Sequence, residues 1–179
     1  MNIWDTIFPL LRAAFLRDDP ALSAVADHEC EAFSERTGIP LPDGIRAWLR
    51  ILNGGYTGAG ELLGINPGRE DLNIESTYEA FPVWKAKGWI PIASDRFGNY
   101  YVVPTRQEYG AGFPVLFVDT MHSLHEPAYI VASNMEHFLP YFLEDALGVH
   151  VFVFSKDYFL ERDPKLRDYT NVPFIWEKK

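Results

Sequence analysis

The stretch Trp89–Val103, WIPIASDRFGNYYVV, constrains the fold of this chain more than any other. It reads as two strands joined by a polar turn. Strand side chains alternate between faces, so Ile90, Ile92 and Ser94 are expected to share one face of the first strand. In the turn Asp95-Arg96-Phe97-Gly98-Asn99, the Asp and Asn side chains can bond nearby backbone and the glycine tolerates positive φ. Tyr100-Tyr101-Val102-Val103 is β-branched and aromatic, as suits a strand packed on both faces.

What precedes the hairpin reads mainly as helix. Ile3, Ile7, Leu10, Leu11, Ala14 and Phe15 recur at helical spacing, with Pro9 bending that helix or delaying its start. After a break at Asp18-Asp19-Pro20, a second helix is expected from Pro20 to Thr37, acidic along Asp27, Glu29, Glu31 and Glu35, and ended by Gly38. Pro42 is placed to open a third helix whose buried face is Ile45, Trp48, Leu49 and Leu52. Asn53-Gly54-Gly55 stops it, and a glycine-rich connection follows, with a short strand in Glu61–Ile65. Asp71–Phe81 is expected to be helical.

Beyond the hairpin, Pro114–Asp119 and Tyr129–Ala132 read as strands. Ser133 and Glu136 have the spacing of a capping box for a helix through Leu147, inside which Pro140 is awkward. Val149–Phe154 alternates as a further strand could, and Lys156–Lys179 reads as a tail laid over the domain. Strands joined by short loops imply an antiparallel sheet of about four to six strands. The expected class is therefore α+β: one domain over residues 1–179, with N-terminal helices and a helix after the last core strand. Its core spans about 27–147 and a C-terminal extension covers 148–179.

Charge narrows the function. The 16 basic and 25 acidic residues give a net charge of −9, the opposite of the basic footprint that binds nucleic acid. That charge suits solubility, and it suits a basic partner through electrostatic steering. The single cysteine, Cys30, fits a reducing compartment. The N-terminus has neither a basic leader nor a small-residue cleavage site, and no apolar run reaches the roughly 20 residues of a spanning helix. A cytoplasmic protein that is monomeric or a weak dimer is expected, with no membrane or nucleic-acid partner.

Catalytic signals are weak. Gly58-Ala59-Gly60-Glu61-Leu62-Leu63-Gly64 follows a helix and places its third glycine one residue late for a dinucleotide loop. His28 and Cys30 stand two apart on a helix and do not face each other. His122, His125 and Glu126 lack the further ligands of a metal site. Glu70, Asp71, Glu75, Asp95, Asp119 and Glu126 are available to a paired-carboxylate hydrolase, yet Asp71 suits a helix cap, Asp95 its turn and Asp119 a strand end. No cofactor or metal is expected.

Several segments together resemble the SUKH superfamily, the Smi/Knr-type group that includes yeast cell-wall regulators and bacterial toxin-immunity proteins. Ile39–Gly55, IPLPDGIRAWLRILNGG, is similar to its "LP … NGG" segment, preceded by a glutamate-bearing helix. WIPIASDRFGNYYVV resembles its "P-I-A-x-D-x-x-G-N" hairpin, and Pro114–Asp119 its "PV" strand. Tyr129–Ser133 followed by Phe138-Leu139 resembles its closing strand and helix. The resemblance implies a non-enzymatic binding module, with an immunity protein against a basic, nuclease-type toxin as the first expectation. An intracellular scaffold or regulator of the same fold is the alternative. The residues expected at the partner interface are Glu70, Asp71, Asp95, Arg96, Phe97, Asp119 and Glu126.

Overall fold

In the computed structural model, which describes residues 3–15, 23–149 and 155–177, the hairpin forms the middle of one antiparallel sheet. Its strands are β1 (Gly55–Tyr56), β2 (Gly60–Leu62), β3 (Trp89–Asp95), β4 (Tyr100–Pro104), β5 (Val115–Val118) and β6 (Tyr129–Ala132), paired in sequence order. The helices are α1 (Trp4–Ala14), α2 (Asp27–Thr37), α3 (Asp43–Leu49), α4 (Ile74–Ala80), α5 (Pro82–Lys87), α6 (Met135–Ala146) and α7 (Lys156–Arg162). The fold is single-domain α+β, and the proposed strand at Val149–Phe154 falls largely outside the described residues.

Both faces of the sheet are covered. The neighbours Tyr100 and Tyr101 point opposite ways, as alternation requires. Tyr100 packs edge-on against Trp84 and Phe81 of the α4–α5 layer, 5.1 and 5.3 Å between ring centroids. Tyr101 meets Phe138 and Phe142 of α6 at 4.9 and 5.8 Å. Truncating a buried aromatic of this kind costs about 3–5 kcal/mol. Helix α6 in turn packs against α1 and α3, so the N-terminal helices and the closing helix share one layer. Pro9 and Pro140 both lie inside their helices, α1 and α6.

The strict alternation expected of β3 fails in one place. Pro91 pairs with Val102 and Ala93 with Tyr101, so Ile92 is an extra residue. Such a bulge accommodates a proline in a central strand. It also moves Ser94 to the opposite face from Ile90: Ile90 pairs with Val103, on Tyr101's face, whereas Ser94 pairs with Tyr100.

The glycine-rich connection is structured. Gly60 has φ +149, and a Cβ there would lie 2.0 Å from the Ser94 carbonyl oxygen on β3. A Cβ on Gly64 would lie 2.3 Å from Asn53 Oδ1, whose side chain bonds both the N–H and the C=O of Ile65, at 2.6 and 2.7 Å. These glycines allow close backbone approach at the sheet edge.

Helix starts also differ from expectation. Residues 23–26 precede α2 without helix, and Glu29 accepts the Ala26 N–H at 2.8 Å. Asn73, two residues after Asp71, caps α4 by accepting from Glu75 N, and Asn134, not Ser133, caps α6 by accepting from His137 N. The tail contains α7 and short 3-10 turns at Pro164–Asp168 and Ile175–Glu177. It covers the β6 edge, where Ile130 N donates to Pro173 O at 2.9 Å.

Candidate partner-binding surface

The turn between β3 and β4 is built by its own aspartate. Asp95 Oδ1 accepts from the amides of Phe97 and Asn99, both at 2.8 Å, and Oδ2 accepts from Asn99 Nδ2 at 2.9 Å. The Asp95 amide donates to Asn99 O, closing the turn. Asn99 then reaches the next loop, accepting from Thr120 N at 3.2 Å, while the Thr120 hydroxyl donates to Gly98 O at 3.0 Å. The two loops therefore form one bonded unit.

The β5–β6 loop is anchored along its length. Asp119 Oδ1 accepts from Met121 N at 3.1 Å, and its carbonyl accepts from His122 N and Ser123 N. Ser123 Oγ accepts from the amides of His125 and Glu126. Helix α5 holds the far half: Trp84 Nε1 donates to Leu124 O at 2.9 Å, and Lys87 Nζ donates to His125 O.

On this base two apolar side chains stand out in solvent. Phe97 is 85% exposed and Met121 88% exposed, on adjacent loops. Arg96 lies beside them and acts on Asp145 near the end of α6; burial pushes that carboxyl up, and the nearby guanidinium opposes the shift. Of the predicted contact residues, Asp95, Arg96, Phe97 and Asp119 are thus brought together at one end of the sheet, with Glu126 exposed further along the same loop. The carboxylates of Asp95 and Asp119 are engaged in their own turns; Arg96 and Phe97 are the exposed members. Glu70 and Asp71 are exposed elsewhere, in the 3-10 turn Glu70–Leu72 after β2, where Asp71 lies 3.4 Å from Arg69 Nε. No hydrogen bond or ion pair among the described residues joins them to the loop end. Met121 was not among the expected residues. Its signal was an apolar residue in a mostly polar loop whose other large apolar residue, Leu124, packs against the core.

The remaining candidates for chemistry have structural uses. Cys30 is fully buried and burial raises its thiol pKa, the reverse of what a nucleophile needs. Ser133, Asp163 and His137 come together, but not as a proton relay. Ser133 Oγ and N donate to the two Asp163 oxygens at 2.7 and 2.6 Å, while His137 Nδ1 lies 2.9 Å from Asn134 Oδ1 and 3.9 Å from Asp163. A serine activated by histidine would donate to the ring nitrogen instead. Here a fully buried carboxylate ties the C-terminal segment to the end of β6.

Among the described residues no group of three or more His, Cys, Asp and Glu could hold a metal ion, and no helix is long and apolar enough to cross a membrane. Comparison with curated proteins finds no match. A family model described as SMI1 / KNR4 family (SUKH-1) matches residues 24–140, which run from just before α2 into α6 and include β1 to β6 and both bonded loops. The chain therefore belongs to the SMI1 / KNR4 family, SUKH-1.

Proposed function

We propose that this protein is a non-enzymatic, immunity-type module that works in the cytoplasm, binding and neutralising a basic toxin domain of the nuclease class. The observation that carries the reading is the exposed pair Phe97 and Met121, presented on two loops bonded to each other and to α5. Loops already held by hydrogen bonds have little backbone freedom left to lose on docking, so the burial of Phe97 and Met121 is offset mainly by their own side-chain ordering, and a few such anchors can dominate binding. Arg96, Asp119 and Glu126 surround that centre with charge, Asp95 positions it, and Glu70 and Asp71 add an acidic patch by the β2 side of the sheet. The net charge of −9 favours encounter with a phosphate-binding, hence basic, cleft. Family membership supports a protein-binding role.

The test is co-expression with the product of the neighbouring gene, scoring growth rescue and a co-purifying complex. Phe97→Ala is expected to weaken that complex by about 2 kcal/mol, the scale of an interface anchor. Binding no tighter than to an unrelated basic protein would overturn the proposal, and full affinity in a Phe97→Ala/Met121→Ala double variant would move the interface elsewhere.

A further inference from the structure

An open cleft of about 610 Å³ lies in the C-terminal segment. Its walls are built by residues between Lys156 and Glu177, beyond the 24–140 that the family model matches, and none of the loop-end residues lines it. The volume falls within the roughly 300–1,000 Å³ of small-molecule sites. Covering the β6 edge does not account for it: that cover uses the Pro173 carbonyl, whereas the cleft is a matter of side chains.

Part of the lining is aromatic. The Phe174 and Trp176 rings lie parallel, 4.5 Å apart with 5° between their planes. Both are only partly buried, unlike Trp48, Trp84 and Trp89, which are enclosed in the core. Trp176 is steadied by Phe159, 5.8 Å away between ring centroids. The Tyr169 ring is fixed by its hydroxyl, which donates to Ala111 O at 2.9 Å. A flat, partly exposed stack of this kind can take a further planar ring by offset stacking.

The charge lining the cleft reverses the sign of the molecule. Lys156 from α7 and Arg167 from the 3-10 turn Pro164–Asp168 both line it, and neither makes a hydrogen bond or an ion pair among the described residues. Arg162, on the same helix as Lys156, is by contrast paired with Glu144 at 2.6 Å. The one lining carboxylate, Glu177, is drawn to the backbone, its Oε2 accepting from Phe174 N at 2.9 Å. Asp157 and Asp168 stand next in sequence to the two cations but do not line the cleft. Two unpaired cations against one engaged carboxylate, in a chain of net charge −9, select an anion here. An anion that uses the aromatic stack as well carries a planar ring.

We propose that this cleft binds a small aromatic acid, its carboxylate held by Lys156 and Arg167 and its ring stacked on the Phe174–Trp176 pair. The site is independent of toxin binding. The full chain should be titrated by NMR with 3-phenylpropionate, 3-phenylpropanol, 3-phenylpropylammonium and 3-cyclohexylpropionate, which vary the head and the ring separately. Saturable shifts centred on residues 156–177 are expected with 3-phenylpropionate, at an affinity about fivefold above 3-phenylpropanol, the scale of two exposed ion pairs. The ammonium compound should bind most weakly, and 3-cyclohexylpropionate about threefold more weakly than the aromatic acid, as loss of ring stacking requires. Lys156→Gln/Arg167→Gln changes two exposed side chains, so it should keep the parent's thermal midpoint while bringing 3-phenylpropionate down to the affinity of 3-phenylpropanol. Equal binding of any of the three analogues, an undiminished affinity in the double variant, or shifts centred outside residues 156–177 would overturn the proposal.

Discussion

Asp95 and Asp163 each hold the chain with both carboxylate oxygens, one at the solvent-facing end of β3 and the other fully buried against Ser133. Asp95 organises a turn that displays Arg96 and Phe97. Asp163 displays nothing; it fastens the segment after α7 to the end of β6. The bonding chemistry is nearly identical, so depth decides its worth. Water can replace the partners of Asp95 but not those of Asp163, where lost bonds leave buried groups unpaired.

The sharpest challenge to this comparison is therefore Asp163→Ala. It should cost about 3–5 kcal/mol, because it strands the buried amide and hydroxyl of Ser133. Urea unfolding at neutral pH measures the loss. Asp95→Ala should cost less, about 1–2 kcal/mol, since its freed amides reach solvent. Equal losses at the two sites would break the comparison. Phe97→Ala sharpens it from the other side: although it is expected to damage binding, its effect on unfolding stability should stay within about 0.5 kcal/mol.

The smallest effect is alkaline. Burial and the hydrogen bond to Glu144 push the Tyr158 phenol up to about 12, against the opposing pull of Arg162. A raised pKa means that the fold favours the protonated phenol. Its contribution is complete below the unfolded value near 10 and is lost as pH rises through about 12. The urea midpoint should fall across that window, and Tyr158→Phe should flatten part of the fall. A Tyr158→Phe profile parallel to the parent would remove Tyr158 from the explanation.

Much of the architecture is legible in the chain itself. The hairpin, the strands at Pro114–Asp119 and Tyr129–Ala132 and the closing helix stand where β-branched runs and helical spacing put them. The turn-forming role open to Asp95 is written in its neighbours, because an Asx side chain acts over two to four residues. What escaped depends on partners distant in sequence. The bulge at Ile92 exists only relative to β4. Gly60 and Gly64 make way for Ser94 and Asn53, so local reading took ordered strand edge for a connection. Ser133 has the spacing of a helix cap, yet its hydroxyl goes to Asp163, thirty residues on. At the loop end, Arg96 and Phe97 could be picked from the turn, but the link through Asn99 and Thr120 that brings Met121 beside them could not.

The cover that Pro173 and Phe174 lay along β6 bears on how this molecule meets others. A sheet with a bare edge invites any extended peptide to add a strand, a form of pairing that reads main chain and barely distinguishes sequences. Here the β6 edge is occupied by the chain's own C-terminal segment and the opposite border, β1, is only two residues long. Main-chain pairing has little to hold. Discrimination falls to side chains at the loop ends, so substitutions there can retune partner choice while the scaffold beneath stays unchanged.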